Sequence, residues 1–225
     1  MMSSMIDDPA AAQRRRDVIV AGHSGHATVA RAHLQDDHAD VRAAAIGALQ
    51  RCSALTDADL VAALADLAPA VRRRAIELSA ARPSVSLLML LHDADDTVAE
   101  VAAWAVGEQG EIEPPSDDVV DRLIALGTSA NAPLVREAAI AALGAIGDER
   151  GLPAILAGCT DKPQIRRRAV LALAPFDGDD VVAAVEAALT DRDWQVRQAA
   201  EDLRRATGEL SFEHDMPPDH GVNER

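Results

Sequence analysis

The sequence predicts an all-α protein in which about six helix pairs stack into a right-handed solenoid. Apolar residues make up 48% of the 225-residue chain, yet aromatic residues make up only 2% and tyrosine is absent. Small and aliphatic side chains must therefore fill the core, as is typical of closely packed helices. A motif also recurs about every 30 residues, and its apolar positions follow the helical period.

The recurring motif is anchored on a valine or isoleucine. The six anchors are Val41, Val71, Val98, Val135, Ile165 and Val196. Four residues later every copy has an alanine, namely Ala45, Ala75, Ala102, Ala139, Ala169 and Ala200. The anchor, this alanine and a Leu or Val seven or eight residues after the anchor share one stripe of a 3.6-residue helix. Each copy therefore predicts an inward-facing helix, here named helix B.

A second amphipathic segment precedes each helix B and predicts the first helix of the pair, here named helix A. These segments are residues 26–35, 56–67, 83–93, 117–128, 152–159 and 179–189. The recurring alanine of helix B suits the crossing of two helices, where a small side chain lets the axes approach to ~8–10 Å. We expect a larger residue there to push the repeats apart.

Two stretches carry a resemblance to a known family. Residues 135–156, VREAAIAALGAIGDERGLPAIL, resemble the HEAT-like repeats of bacterial phycobilisome-lyase-like proteins, and VAAWAVGEQG at residues 101–110 resembles the same repeat with a tryptophan. The resemblance covers roughly residues 8–205. It implies a bacterial α-solenoid of HEAT-like helix pairs. It also implies an enzymatic alternative: an oxidoreductase resembling deoxyhypusine hydroxylase, or a phycobilin-lyase-like subunit.

Three segments are predicted along the chain. Residues 1–22 form an N-terminal segment with a degenerate half-repeat, because residues 10–22 can be placed as a preceding helix B. Residues 23–205 form the HEAT-like solenoid. Residues 206–225 are polar, contain two adjacent prolines and lack an apolar stripe, so they are predicted to be a disordered tail.

Charge and cysteine content narrow the function classes. The net charge of −15 opposes a broad nucleic-acid or anionic-membrane surface, because phosphate groups are bound by a dense positive field. No run approaches the ~20 apolar residues that span a bilayer, and no export signal is recognisable. Cys52 and Cys159 stand far apart, which predicts neither a disulfide nor a thiolate metal site. A cytoplasmic protein is therefore expected.

The candidate working surface is the concave side, which helices B line in a right-handed stack. Positions two and six residues after each anchor point away from the apolar stripe. In the middle of the stack they predict a mixed charged patch around one aromatic side chain. The predicted partner-binding residues are Arg73, Glu77, Glu100, Trp104, Glu137, Arg167 and Leu171.

This patch predicts a non-catalytic scaffold or adaptor that binds another protein or an extended peptide segment. Aromatic and arginine side chains dominate protein–protein hot spots, which favours a polypeptide ligand over a small molecule. Packing of Trp104 on a neighbouring helix is the alternative role for that side chain.

Two sets of arginines have different interpretations. Five directly follow an anchor and recur with an upstream aspartate, which predicts a ladder of ion pairs between repeats. The arginines are Arg42, Arg72, Arg136, Arg166 and Arg197, and the aspartates are Asp36, Asp66, Asp93, Asp161 and Asp191. The arginine triplets at residues 14–16, 72–74 and 166–168 are the best argument for nucleic acid. Acidic residues share their surface, so nucleic-acid binding is not expected.

Metal, cofactor and catalytic signals are weak in this sequence. His26 and His33 can share a helix face, but two turns separate them by ~10 Å, too far for one ion. The iron-holding His-Glu dipeptides of the hydroxylase family are absent. No Gly-rich phosphate loop or Gly-x-Ser-x-Gly motif is present. No metal ligand, cofactor or catalytic residue is predicted, and the enzymatic alternative depends on family analogy alone.

Overall fold

The computed structural model describes residues 8–214, which form twelve α-helices, two 3-10 helices and no β-strand. The helices are α1 (Pro9–His23), α2 (Ala27–Ala32), α3 (Ala39–Arg51), α4 (Asp57–Leu64), α5 (Pro69–Ser79), α6 (Asp96–Gly110), α7 (Asp117–Ser129), α8 (Pro133–Ile146), α9 (Leu152–Gly158), α10 (Pro163–Ala172), α11 (Asp179–Leu189) and α12 (Trp194–His214). The 3-10 helices are Leu88–His92 and Glu149–Gly151. The predicted all-α fold class is confirmed.

The helices alternate as predicted between the two members of each pair. The six B helices are α3, α5, α6, α8, α10 and α12, and each contains one anchor. The A positions are held by α2, α4, the Leu88–His92 turn, α7, α9 and α11. Each B helix packs on the B helix of the next repeat, and α1 packs on α3 as a preceding half-repeat. One continuous apolar core runs through the stack.

The recurring apolar positions form that core. All six anchors and all six alanines expose at most 2% of their surface. B helices also approach closely farther along, nine residues after the anchor, where two copies have glycine. A Cβ atom on Gly144 would lie 2.6 Å from the Cα of Ala172, and one on Gly107 would lie 3.0 Å from the Cα of Ala142. The missing side chain is what lets these helices touch.

Arginine–aspartate pairs join successive repeats, as the ladder prediction requires. Arg42 donates from Nε and Nη2 to both carboxylate oxygens of Asp66 at 2.7 Å, and from Nη1 to the carbonyl of Asp36 at 2.7 Å. The same two-oxygen arrangement joins Arg14 to Asp36, Arg72 to Asp93, Arg136 to Asp161 and Arg166 to Asp191. Four of these arginines also donate to a carbonyl of the preceding loop and so tie it to the loop of the next repeat; they are Arg42, Arg72, Arg136 and Arg166. The fifth predicted arginine, Arg197, donates to the carbonyl of Asp191 and pairs with no carboxylate of the described residues.

One ion pair of the ladder is missing, at the junction of α6 and α8. The third copy has Ala99 where the other copies have arginine, and the loop before α8 has Ala130 where the others have aspartate. Both partners of the same pair are absent, so neither charge is left unpaired in a partly buried loop. The Gly107–Ala142 contact holds this junction instead.

The third A helix is shorter than predicted. A helix was expected over residues 83–93, but only Leu88–His92 is helical, in the 3-10 form. Leu87 and Leu91 are nevertheless buried, so the segment still fills the core. The preceding loop is stabilised from a distance, because the side-chain amide of Gln109 donates to three backbone carbonyls at residues 79, 82 and 85, at 3.0–3.1 Å.

The last helix is longer than predicted. It continues to His214, so residues 206–214 of the predicted disordered tail are helical. Most of these residues tolerate a helix, and the two prolines that would break one come later, at 217 and 218. The remainder of the predicted tail, residues 215–225, lies outside the described residues, as do residues 1–7.

Candidate functional site

The first candidate site is the tryptophan groove, a cleft of about 320 Å³ where α6 and α8 pack side by side. Its lining residues are Glu100, Val101 and Trp104 from α6, Leu134, Glu137, Ala138 and Ala141 from α8, and Arg168 from α10. Glu100 and Trp104 are four residues apart and therefore share one face of α6. Leu134 and Glu137 are three residues apart on α8 and likewise share one face of their helix. The intervening alanines keep the cleft open.

Two large apolar side chains of this groove are exposed. Trp104 exposes 44% of its surface and Leu134 exposes 57%. Packing against a neighbouring helix therefore accounts for only part of the indole. Apolar side chains that converge at an exposed cleft, rimmed by polar groups, are typical of an interaction surface.

The tryptophan groove has two carboxylates, of which only Glu137 has a cation within ion-pair distance. The side chain of Glu100 forms no hydrogen bond or ion pair with any residue that the structure describes. The nearest cationic atom to Glu137 is Nε of Arg168 at 3.7 Å, which is beyond hydrogen-bond distance. Both glutamates are half-buried. A cationic group that entered this groove would lie near two carboxylates, one of them already paired with Arg168, and near an indole ring with which it can make a cation–π contact.

The second candidate site is the arginine groove, a cleft of about 300 Å³ above α3, between α1 and α5. Its lining residues are Arg15, Ile19, Asp40, Ala43, Ala44, Gly47, Arg51, Ala70, Arg73, Arg74 and Glu77. Small residues of α3 form the floor, and arginines form the walls. Arg74 donates to Glu77 at 2.8 Å and lies over Gly47, where a Cβ atom would come within 3.1 Å of its Nη2.

The structure divides the seven predicted partner-binding residues. Arg73 and Glu77 line the arginine groove, whereas Glu100, Trp104 and Glu137 line the tryptophan groove. The two other predicted residues, Arg167 and Leu171, are exposed on α10 but line neither of these grooves.

The lining residues that were not predicted include five with large or charged side chains. They are Arg15, Arg51, Arg74, Leu134 and Arg168. The arginine triplets were a signal for three of them. Arg51 and Leu134 do not lie two or six residues after an anchor, so the repeat pattern gives no signal for them.

Solved structures resemble this chain over most of its length. A designed armadillo repeat protein in complex with the peptide (KR)4 is 18% identical, with 86% of this chain and 98% of that chain covered and a TM-score of 0.55. The Escherichia coli protein YibA is 16% identical, with coverage of 96% and 82% and a TM-score of 0.56. Importin beta is 15% identical, with coverage of 98% of this chain but only 34% of that chain, and a TM-score of 0.58.

This chain is an all-α solenoid of the HEAT and armadillo type. A family model described as HEAT repeats matches residues 84–174, the stretch that contains the tryptophan groove. A search of curated protein sequences finds no match. At these identities the similar structures show the fold of the solenoid alone.

Histidines at the start of the solenoid form a polar cluster around Asp36. His33 Nδ1 lies 3.4 Å from one carboxylate oxygen of Asp36, and His38 Nδ1 lies 3.7 Å from the other. Arg14 also binds this carboxylate, and its hydrogen bonds hold the pKa of Asp36 well below the usual range. Across residues 8–214, no group of three or more His, Cys, Asp or Glu side chains is placed to hold a metal ion.

The remaining features of the solenoid offer little reactive chemistry. Burial raises the pKa of the Cys159 thiol to about 11, which leaves little of the nucleophilic thiolate at neutral pH. No helix in the described part of the chain combines the length and hydrophobicity needed to cross a bilayer.

Proposed function

We propose that the protein is a non-catalytic scaffold that binds an extended segment of a partner protein along the face of its B helices, with Trp104 as the central contact. The tryptophan groove is the observation that carries this proposal. Its volume of about 320 Å³ is at the lower end of the ~300–1,000 Å³ range of small-molecule sites. An open cleft of this size suits one or two side chains of a polypeptide.

Burial of Trp104 supplies the apolar part of the binding free energy. A tryptophan buries up to ~250 Å², and 44% of this side chain is exposed before binding. Covering that surface contributes roughly 2–3 kcal/mol at ~25 cal/mol per Å². The groove walls belong to helices rather than loops, so little ordering cost opposes this gain.

The two carboxylates of the tryptophan groove supply selectivity. Glu100 and Glu137 face the same cleft as the indole, and the whole chain carries a net charge of −15. We therefore propose a lysine or arginine of the partner segment as the group that enters the tryptophan groove. The peptide (KR)4 bound to the designed armadillo protein supports the idea that a solenoid of this type can hold a cationic extended chain.

Arg167 and Leu171 extend the proposed contact along α10. Both are exposed on the next B helix of the stack, beyond the tryptophan groove. The segment would continue over them after passing Trp104. The lyase-like repeat at residues 135–156 further leads us to propose a bacterial, cytoplasmic protein of this repeat type.

Matched tryptophan variants test the proposal. The full chain is used to isolate its partner from the native host, and the dissociation constant of the purified pair is then measured by calorimetry. Trp104→Ala should weaken binding more than tenfold, because the indole surface can no longer be buried. Trp194→Ala is the control, since Trp194 exposes 64% of its surface but lies outside both grooves.

Further variants separate the contributions of charge and of α10. Glu100→Gln combined with Glu137→Gln should weaken the binding of a partner whose contact residue is cationic. Arg167→Ala should weaken the binding of the partner to a smaller extent. Circular dichroism should show unchanged helix content for every variant. Binding that survives Trp104→Ala unchanged would falsify the assignment of this groove.

A further inference from the structure

The arginine groove concentrates positive charge in a strongly acidic protein. Four arginines line it, namely Arg15, Arg51, Arg73 and Arg74, against only two acidic residues, Asp40 and Glu77. The chain as a whole carries a net charge of −15. A local excess of cations within that background contrasts sharply with the rest of the molecule.

Two of these four arginines have no side-chain partner, and Arg74 pairs with Glu77 of the same groove. The side chains of Arg15 and Arg51 form no ion pair or hydrogen bond with the residues that the structure describes. Arg73 makes one long hydrogen bond, 3.4 Å, to the hydroxyl of Thr97. The ladder arginines are different, because each of those from Arg14 to Arg166 donates to both oxygens of an aspartate. The stability of the solenoid therefore does not explain why arginine stands in this groove.

Guanidinium groups that share a cleft repel one another and remain charged at every accessible pH. An anion placed among them removes that repulsion and accepts charge-assisted hydrogen bonds, for which the planar fork of arginine is well shaped. The floor of the groove consists of Ala43, Ala44 and Gly47, so a main chain can approach α3 closely. The groove thus offers both space for an extended chain and donors for its side chains.

The charge distribution favours a polypeptide over a nucleic acid. Asp40 and Glu77 lie in the same walls, and the overall negative charge opposes the approach of a polyanion. A short segment with a few carboxylates encounters the local arginines without the long-range repulsion that a phosphate backbone experiences. Acidic side chains are therefore the ligand that this groove fits best.

We infer that the arginine groove binds aspartate or glutamate side chains of the partner segment, a conclusion that rests on the proposed function. The B helices run in the order α3, α5, α6, α8, and neighbouring axes are ~8–10 Å apart, so roughly 20–30 Å separates this groove from the tryptophan groove. An extended chain covers that span with about six to nine residues. The partner segment is thus polarised, with acidic residues over α3 and a cationic residue at Trp104.

A peptide probe tests the inference without knowledge of the partner. Fluorescein-labelled hexaglutamate is titrated with the full chain at low ionic strength, and its anisotropy is followed. We expect saturable binding, and the double variant Arg15→Gln, Arg73→Gln should raise the dissociation constant at least tenfold. The control double variant Arg16→Gln, Arg192→Gln changes the net charge by the same amount, but at residues outside the groove. It should change the dissociation constant less than twofold.

Trp104→Ala distinguishes this inference from the proposed function. This variant should leave the binding of hexaglutamate unchanged and weaken the binding of the natural partner. If hexaglutamate does not bind, or if both double variants weaken it equally, the arginine groove is not an acidic-segment site, and the Trp104 experiment still stands on its own. Tighter, salt-sensitive binding of a dT10 oligonucleotide that Arg15→Gln, Arg73→Gln abolishes would overturn the inference in favour of nucleic acid.

Discussion

Replacing Gly144 with alanine should destabilise the solenoid, although the same exchange favours an isolated helix. Gly144 lies in α8 at its closest approach to α10, where an added Cβ atom would come 2.6 Å from both Cα and Cβ of Ala172 and 2.9 Å from its carbonyl oxygen. Two of these three are main-chain atoms, so no rotamer change relieves the contact. The two helices must move apart.

The size of the effect follows from two opposing terms. Alanine stabilises a helix interior by ~0.5–1 kcal/mol relative to glycine. Overpacking a closely packed site costs ~1–3 kcal/mol, and a clash with backbone belongs at the upper end of that range. We expect a net loss of about 2 kcal/mol in the free energy of unfolding, or roughly 4–8 °C in Tm for a chain of this length.

Urea and thermal unfolding followed by circular dichroism measure this loss. Gly208→Ala is the matched control, because Gly208 also lies in a helix but an added Cβ atom would meet nothing within 4 Å. It should leave stability unchanged or raise it by up to ~1 kcal/mol. Gly107→Ala, with its nearest contact at 3.0 Å, should fall between the two. A Gly144→Ala protein as stable as the wild type would refute the close-approach argument.

Three further outcomes are expected. Asp191→Ala should lower the free energy of unfolding, measured by urea titration, by ~1–3 kcal/mol, because the buried Arg166 loses its carboxylate partner. The control Asp180→Ala, at an exposed site, should lower it by less than ~0.5 kcal/mol. Hydrogen bonds from arginine lower the pKa of Asp66, Asp161 and Asp191 in the folded state. These carboxylates therefore stabilise the fold fully above their unfolded pKa of ~3.9, and the stabilisation is lost as the pH falls below that value. The Tm should drop between pH 5 and pH 2, and the drop should be smaller in the Asp191→Asn variant. The raised pKa of Cys159 predicts that iodoacetamide alkylates this thiol slowly at pH 8 in the folded protein and rapidly after the protein is unfolded in urea. Equal alkylation rates in the folded and unfolded states would contradict this prediction.

The repeat could be predicted because its causes are local. The spacing of each anchor and its alanine defines a helical stripe, and arginine and aspartate recur at nearly constant offsets, so the B helices and their ion pairs follow from pattern alone. The third A helix could not be predicted in this way. Residues 83–93 carry suitable apolar spacing, but the segment is held as a loop and a short 3-10 turn by Gln109, which is far along the chain.

The site was predictable only in part. An outward-facing Trp104 among charged residues follows from its position on α6, and the structure places it in a groove with Glu100 and Glu137. The position two residues after the anchor Ile165 also favoured Arg167, whereas the side chain that reaches the groove is Arg168. Side chains one residue apart point in directions that differ by ~100° around the helix axis. The position of the neighbouring helix decides which of the two side chains faces the cleft.

By itself, the sequence determined that this protein is a stack of helix pairs, which side chains fill its core and which charges join its repeats. Those features depend on residues within one repeat or at matching positions of adjacent repeats. Only the tertiary structure decided that the exposed charges separate into an arginine groove and a tryptophan groove of opposite character. The grooves lie between helices whose relative rotation and distance are set by contacts such as Gly107 on Ala142, and no local pattern records that geometry.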